Sequence, residues 1–153
     1  MAQYRLFSEV CKVSQNSSWE QAKLEWELFR VYQVPEGEES ETCLCGKYPI
    51  REVCVLVNRL NKNLIEVGNQ CVNRFFELPS EQIFSGIRRV QKDIAKSFTE
   101  EVILHALEKG VIDQWKHDFY RDIFRRRKLT VPRLQKKIQI NRLILKAILE
   151  KRF

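Results

Sequence analysis

The sequence predicts a mainly α fold of the α+β kind, a helical protein with one small β-hairpin module near its centre. Three observations carry this. Apolar residues recur at three- and four-residue spacing over most of the chain, the period of a helix packed on one side. Between residues 52 and 67 the pattern switches to alternation, the period of a strand. Four of the five cysteines fall between 43 and 71, around that stretch.

The 153 residues are 44% hydrophobic and 31% charged, which excludes a chain disordered throughout and allows one modest core. Three segments are expected: 1–42 with an N-terminal amphipathic helix and an acidic linker, 43–78 with the cysteines, and 79–153 with basic helices. In the first, Ser17-Ser18-Trp19-Glu20 has the pattern of a capping box,. Trp19, Ala22, Trp26 and Phe29 then mark a helix of about four turns, with Leu28 and Tyr32 beside it. Pro35 and Gly37 break it, and Glu36, Glu38, Glu39 and Glu41 make the following stretch a solvated linker,.

In the second segment Val53, Val55 and Val57 alternate with Cys54, Leu56 and Asn58. Leu60-Asn61-Lys62-Asn63 supplies a turn and Leu64–Val67 a second strand, a β-hairpin. From Leu78 onward the reading is helical. Ser80 starts a helix carrying Ile83, Phe84, Ile87, Val90 and Ile94, and Thr99 starts one that Gly110 ends,. Ile112, Trp115, Phe119 and Ile123 mark a third helix. Thr130 with Pro132 opens the last, with Leu134, Ile138, Leu145 and Ile148 on its apolar side. Trp19, Trp26 and Trp115 are all expected in the core.

The cysteines point to metal. No apolar run approaches the roughly 18–20 residues of a membrane span, and the N-terminus has no signal-peptide core,. A reducing cytoplasm is therefore expected, where thiols stay free or bind metal. Cys43-Leu44-Cys45-Gly46 can form a knuckle, Cys54 lies on the first hairpin strand, and Cys71 opens a helix whose N-terminus favours a thiolate,. Knuckle, hairpin and helix start in that order form a treble-clef-like layout. Four thiolates would make a closed, structural site for one Zn2+. The alternative is four buried, reduced thiols acting as small hydrophobes. Cys11 is expected to be a core thiol, and His105 and His117 are remote substitutes for a ligand.

The segment E-T-C-L-C-G-K-Y-P-I-R-E-V-C-V-L-V-N-R-L, closing with V-G-N-Q-C-V-N-R-F-F, resembles a four-cysteine zinc module of small, mostly uncharacterised proteins from bacteriophages and bacterial mobile elements. The likeness covers about residues 41–76, with C-x-C in place of the commoner C-x-x-C. It implies zinc ligation by Cys43, Cys45, Cys54 and Cys71 and a mobile-element setting in a bacterial host. It implies no activity.

Charge suggests the partner. Residues 116–153 carry thirteen bases against three acids, while 1–42 carry eight acids against four bases. Arg125, Arg126, Arg127, Lys128, Arg133, Lys136, Lys137 and Arg142 are expected to form one exposed face that neutralises phosphates. Gln135, Gln139 and Asn141 could add hydrogen bonds to bases or sugars. There is no glycine-rich phosphate loop, nucleophile elbow or paired-His motif,. The expected function is thus a non-enzymatic module that binds nucleic acid, with neither a small-molecule substrate nor a membrane as partner. The basic face could alternatively dock on an acidic host protein surface. The rival function is a protein-binding inhibitor or adaptor acting on a host defence (anti-CRISPR-like) or replication complex, for instance by occupying its nucleic-acid groove. Acids 36–41 favour it mildly, since they can stand in for phosphates.

Overall fold

The computed structural model describes residues 2–75 and 80–153, which form a mixed α+β protein. The expected segment boundary at 78–79 and Phe76, at the end of the cysteine module, lie outside the described residues. The chain divides into two compact units, Met1–Ser80 and Glu81–Phe153. The segments expected to separate at residue 42 therefore share one unit.

The first unit opens with α1 (Ala2–Lys12) and the single turn α2 (Trp19–Ala22), followed by a 3₁₀ turn, Lys23–Glu25. The expected long helix stops there. Residues Trp26–Gln33 instead form β1, which pairs antiparallel with β2 (Glu52–Asn58), and β2 pairs with β3 (Leu64–Gly68) in the order β1-β2-β3. A bulge explains why β1 looks helical in sequence. Leu28 faces Leu56 and Arg30 faces Val55, so Phe29 is an extra residue. The bulge sets Phe29 outside the strand alternation, so Ala22, Trp26 and Phe29 stand four and three apart and imitate a helical stripe,. Aromatic and β-branched side chains then suit the pleated surface that β2 offers.

Ser18 caps α2 with its backbone carbonyl, not its side chain, so the capping box is not formed. The loop between α1 and α2 is held by Glu25 instead. Its buried carboxylate accepts from the backbone N–H groups of Gln15 (2.7 Å) and Asn16 (2.9 Å) and from the side-chain amides of Asn16 (2.8 Å) and Asn58 (3.0 Å). The other side of Asn58 accepts from Leu60 and Asn61, which shapes the β2–β3 turn. The turn is tied to the end of α1 by Asn61 and Asn63, whose amides both donate to the Val13 carbonyl.

The acidic stretch forms a turn held by hydrogen bonds from Arg51. Arg51 donates to the carbonyls of Val34 (3.3 Å), Pro35 (3.0 Å) and Glu38 (3.4 Å), and Glu41 bridges to Ile50. Glu36, Glu38 and Glu39 remain exposed.

The second unit contains α3 (Ser80–Lys92), α4 (Glu100–Glu108), α5 (Gln114–Ile123) and α6 (Val131–Leu149). Helix α3 ends before Ile94. After α4, Gly110 adopts φ +72, Gly110 N–H donates to Leu107 and Val111 N–H to Ala106, a C-cap that needs the left-handed conformation,. Thr99 occupies the N-cap of α4 without a side-chain cap, whereas Asp113 caps α5 by accepting from Lys116 N–H at 2.9 Å,.

The buried stripe of α6 is Lys137, Ile140, Asn141, Ile144, Ala147 and Ile148. The expected stripe through Leu134, Ile138 and Leu145 is rotated from this, and all three are only half-buried. Asn141 sits at the centre of the true one. It accepts from the Tyr120 hydroxyl (2.7 Å) and donates to the carbonyls of Ile94 and Lys96 (2.8 Å each), while Tyr120 accepts from Phe98 N–H (2.9 Å). Four hydrogen bonds are thereby made inside the unit, and they join α5, α6 and the α3–α4 loop,.

Candidate metal centre and cationic surface

The knuckle forms as its residues require. Gly46 N–H donates to Cys43 C=O (2.8 Å) and Cys43 N–H to Lys47 C=O (2.9 Å), and Gly46 adopts φ +96, a conformation costly for any side chain,. The Arg5 guanidinium from α1 lies against this glycine, where a Cβ would come within 2.5 Å of Nη1. A positive charge thus stands beside the knuckle. Leu44 N–H donates to Glu66 C=O (3.1 Å) and Gly68 N–H to Cys43 Sγ (3.3 Å), so the knuckle is fastened to the end of β3.

The chain then turns through Asn69 and Gln70 into a 3₁₀ turn, Cys71–Arg74. The sulfurs of Cys43, Cys45 and Cys71 all lie within 4.8 Å of one another, the first two buried and the third half-buried. Such a set of soft donors could hold a metal ion. A hydrogen bond from Cys71, and N–H bonds from Cys45 and Gly68, hold the Cys43 thiol below the usual range against the opposing effect of burial. Cys71, as the donor to Cys43, is held above it.

Cys54 does not join this group. It shares its face of the sheet with Leu56 and with its cross-strand partners Val31 and Val67, and it is fully buried. Burial first, then the charges of Glu52 and Cys43, push its thiol up to about 12. Cys11 is half-buried, not a core thiol, and lines a groove with Tyr4, Phe7, Ser8, Lys12, Ser17 and Trp19. His105 and His117 belong to the second unit. His105 Nε2–H donates to the Phe153 carbonyl, and His117 Nδ1 lies 3.1 Å from Asp118.

The positive charge is a property of the second unit, which carries 18 Lys+Arg against nine Asp+Glu, while the first carries nine against eleven. Arg125, Arg126, Arg127 and Lys128 are exposed at the corner between α5 and α6, and Arg133 and Arg142 are exposed on α6. Arg126 lies 3.5 Å from Asp122, and Arg125 sits over the Phe124 ring. Lys136 is half-buried beside Trp115. Lys137 does not belong to the face. It is 5% exposed, and burial lowers its affinity for a proton although Asp93 opposes this. Asn141 is likewise interior and offers nothing to a ligand.

Trp115 corrects the sequence reading in the other direction. It is 60% exposed rather than core, stacks on Phe119 at 5.5 Å and 12°, and has the Lys136 ammonium 5.2 Å from its ring centre. The periodicity that assigned it to the core is real, but Ile112, Tyr120 and Ile123 fill the interior instead.

Fold and site together define a small α+β protein with a three-thiol cluster in one unit and a cationic helical surface on the other. No family model, curated protein or solved structure matches the chain. No helix among the described residues is long and apolar enough to cross a membrane.

Proposed function

We propose that this chain is a zinc-stabilised, non-enzymatic binding module that engages nucleic acid through the second unit. The observation that carries the reading is the partition of charge. Seven arginines and lysines at the α5–α6 corner and along α6 are exposed, on a unit with twice as many bases as acids. Cations so arranged displace counterions from phosphates, and the affinity they produce falls with salt. Zinc suits the three thiols, and its part is to hold the first unit together rather than to react. In the mobile-element setting that the cysteine segment resembles, the target would lie in the bacterial cytoplasm.

The test is titration of the full chain with labelled single-stranded and duplex oligonucleotides at several salt concentrations. Log affinity should fall linearly with log salt, with a slope of about −0.7 or −0.9 per phosphate contacted on single strand or duplex. Absence of binding at low salt would refute the reading. A second reading, docking on a basic nucleic-acid groove of another protein, is favoured by one feature of the first unit. Arg51 fixes the turn that exposes Glu36, Glu38 and Glu39, so their carboxylates are presented together,.

A further inference from the structure

Trp115, exposed and stacked on the half-buried Phe119, is the surface feature that the cationic reading leaves unexplained. A monomeric helical domain rarely leaves an indole 60% exposed,. Here the ring is also held in place, since Phe119 one turn later stacks against it nearly parallel and Lys136 of α6 reaches over it. The Lys136 contact fixes which side of α6 faces the indole. Arg133 and Gln139 lie three residues before and after Lys136, so they occupy the same side, and both are exposed,. An ordered aromatic ring, two cations and an amide therefore share one strip of surface.

Those groups match what an unpaired nucleotide presents. A flat base can stack on the indole surface that Phe119 and Lys136 leave exposed, the phosphates beside it meet Arg133 and Lys136, and Gln139 can donate to or accept from a base edge or sugar,. A duplex stacks its base faces against one another in its interior, so an exposed indole finds no base face on it. We propose that Trp115 is a stacking platform for an unpaired base, and that the nucleic acid engaged by the second unit is single-stranded. This rests on the cationic reading above and narrows it.

Trp115→Ala and Trp115→Phe, made in the full chain and checked for an unchanged thermal melt, separate the two ideas. They are titrated by fluorescence anisotropy with a labelled oligothymidylate and with a duplex of equal length. Stacking of one base is worth roughly 1–3 kcal/mol, so Trp115→Ala should weaken single-strand binding by about 5- to 150-fold, and Trp115→Phe should restore most of it. The salt slope should be unchanged in Trp115→Ala and shallower in Arg133→Gln/Lys136→Gln. If Trp115→Ala binds single strand as wild type does while the double variant loses affinity, the platform is wrong and the cationic reading stands. Wild-type preference for duplex would also overturn the platform. If wild type binds neither nucleic acid, both readings fall.

Discussion

Asn58, the last residue of β2, donates its side-chain amide at 3.0 Å to the buried carboxylate of Glu25, the residue just before β1. One hydrogen bond thus joins the start of the first strand to the end of the second. The remaining partners of Glu25 draw in Gln15 and Asn16.

Replacing Glu25 should therefore damage the first unit more than an ordinary surface acid would. Glu25→Ala leaves the buried Asn58 amide and the part-buried Gln15 and Asn16 N–H groups without their acceptor, a loss of about 2–4 kcal/mol, read as a lower denaturant midpoint. Burial alone would raise the carboxyl, but hydrogen bonds from Asn58, Gln15 and Asn16 bring it down to about 2. Because the folded value lies below the ordinary carboxylate range near 4.3, the stabilisation is complete above about pH 4.3 and is lost as pH falls towards 2. The difference in stability between wild type and Glu25→Gln should shrink over that interval in urea melts at several pH values.

Metal content should follow the geometry of the sulfurs. Cys43→Ser, Cys45→Ser and Cys71→Ser are each expected to lose bound zinc and melt at lower temperature. Cys54→Ser and Cys11→Ser should retain it, the former with a packing and desolvation loss of order 1–3 kcal/mol. Elemental analysis of the purified variants decides. Zinc loss in Cys54→Ser would mean that its sulfur closes the tetrahedron.

Lys137→Met is expected to leave oligonucleotide affinity unchanged, because the side chain is inside the unit. Its thermal midpoint should equal or exceed that of wild type, since removing a poorly solvated ammonium relieves a desolvation cost. The neighbouring Lys136→Gln should do the opposite, lowering affinity with little effect on the melt.

Asn141→Leu should be among the most destabilising substitutions in the second unit. It strands the Tyr120 hydroxyl and the carbonyls of Ile94 and Lys96, at a cost of about 2–4 kcal/mol. Tyr120→Phe removes one member and keeps the ring, so about 1–2 kcal/mol is expected from denaturant unfolding.

The sequence revealed the hairpin because Val53, Val55 and Val57 before an Asn-rich turn, and Ile65 and Val67 after it, keep a period of two with no bulge to disturb it. It concealed β1 because Phe29 interrupts that period, and nothing local announces a strand whose partner lies beyond Arg51. Helix α6 was legible as a helix but not in its rotation. Its sequence offers two apolar stripes about equally good, and only the docking of Asn141 against Tyr120 selects one. The knuckle, marked by Gly46, was visible, whereas the separation of Cys54 from its fellow thiols depends on which face of β2 it occupies. Trp115 was misplaced for the converse reason, since apolar spacing does not say which member of a stripe lies at the rim.

The fastening of the knuckle to β3, through Leu44 to Glu66 and Gly68 to Cys43, bears on how the protein assembles. Joining Cys45 to Cys71 through an ion closes a long loop, whose entropic cost in a random chain grows with the logarithm of its length. The hairpin spans that interval and shortens the effective loop to the few residues around Asn69. Apparent zinc affinity should therefore track the stability of the β2–β3 turn, so that a substitution at Asn58, remote from every sulfur, weakens the metal centre by loosening the path that leads back to it.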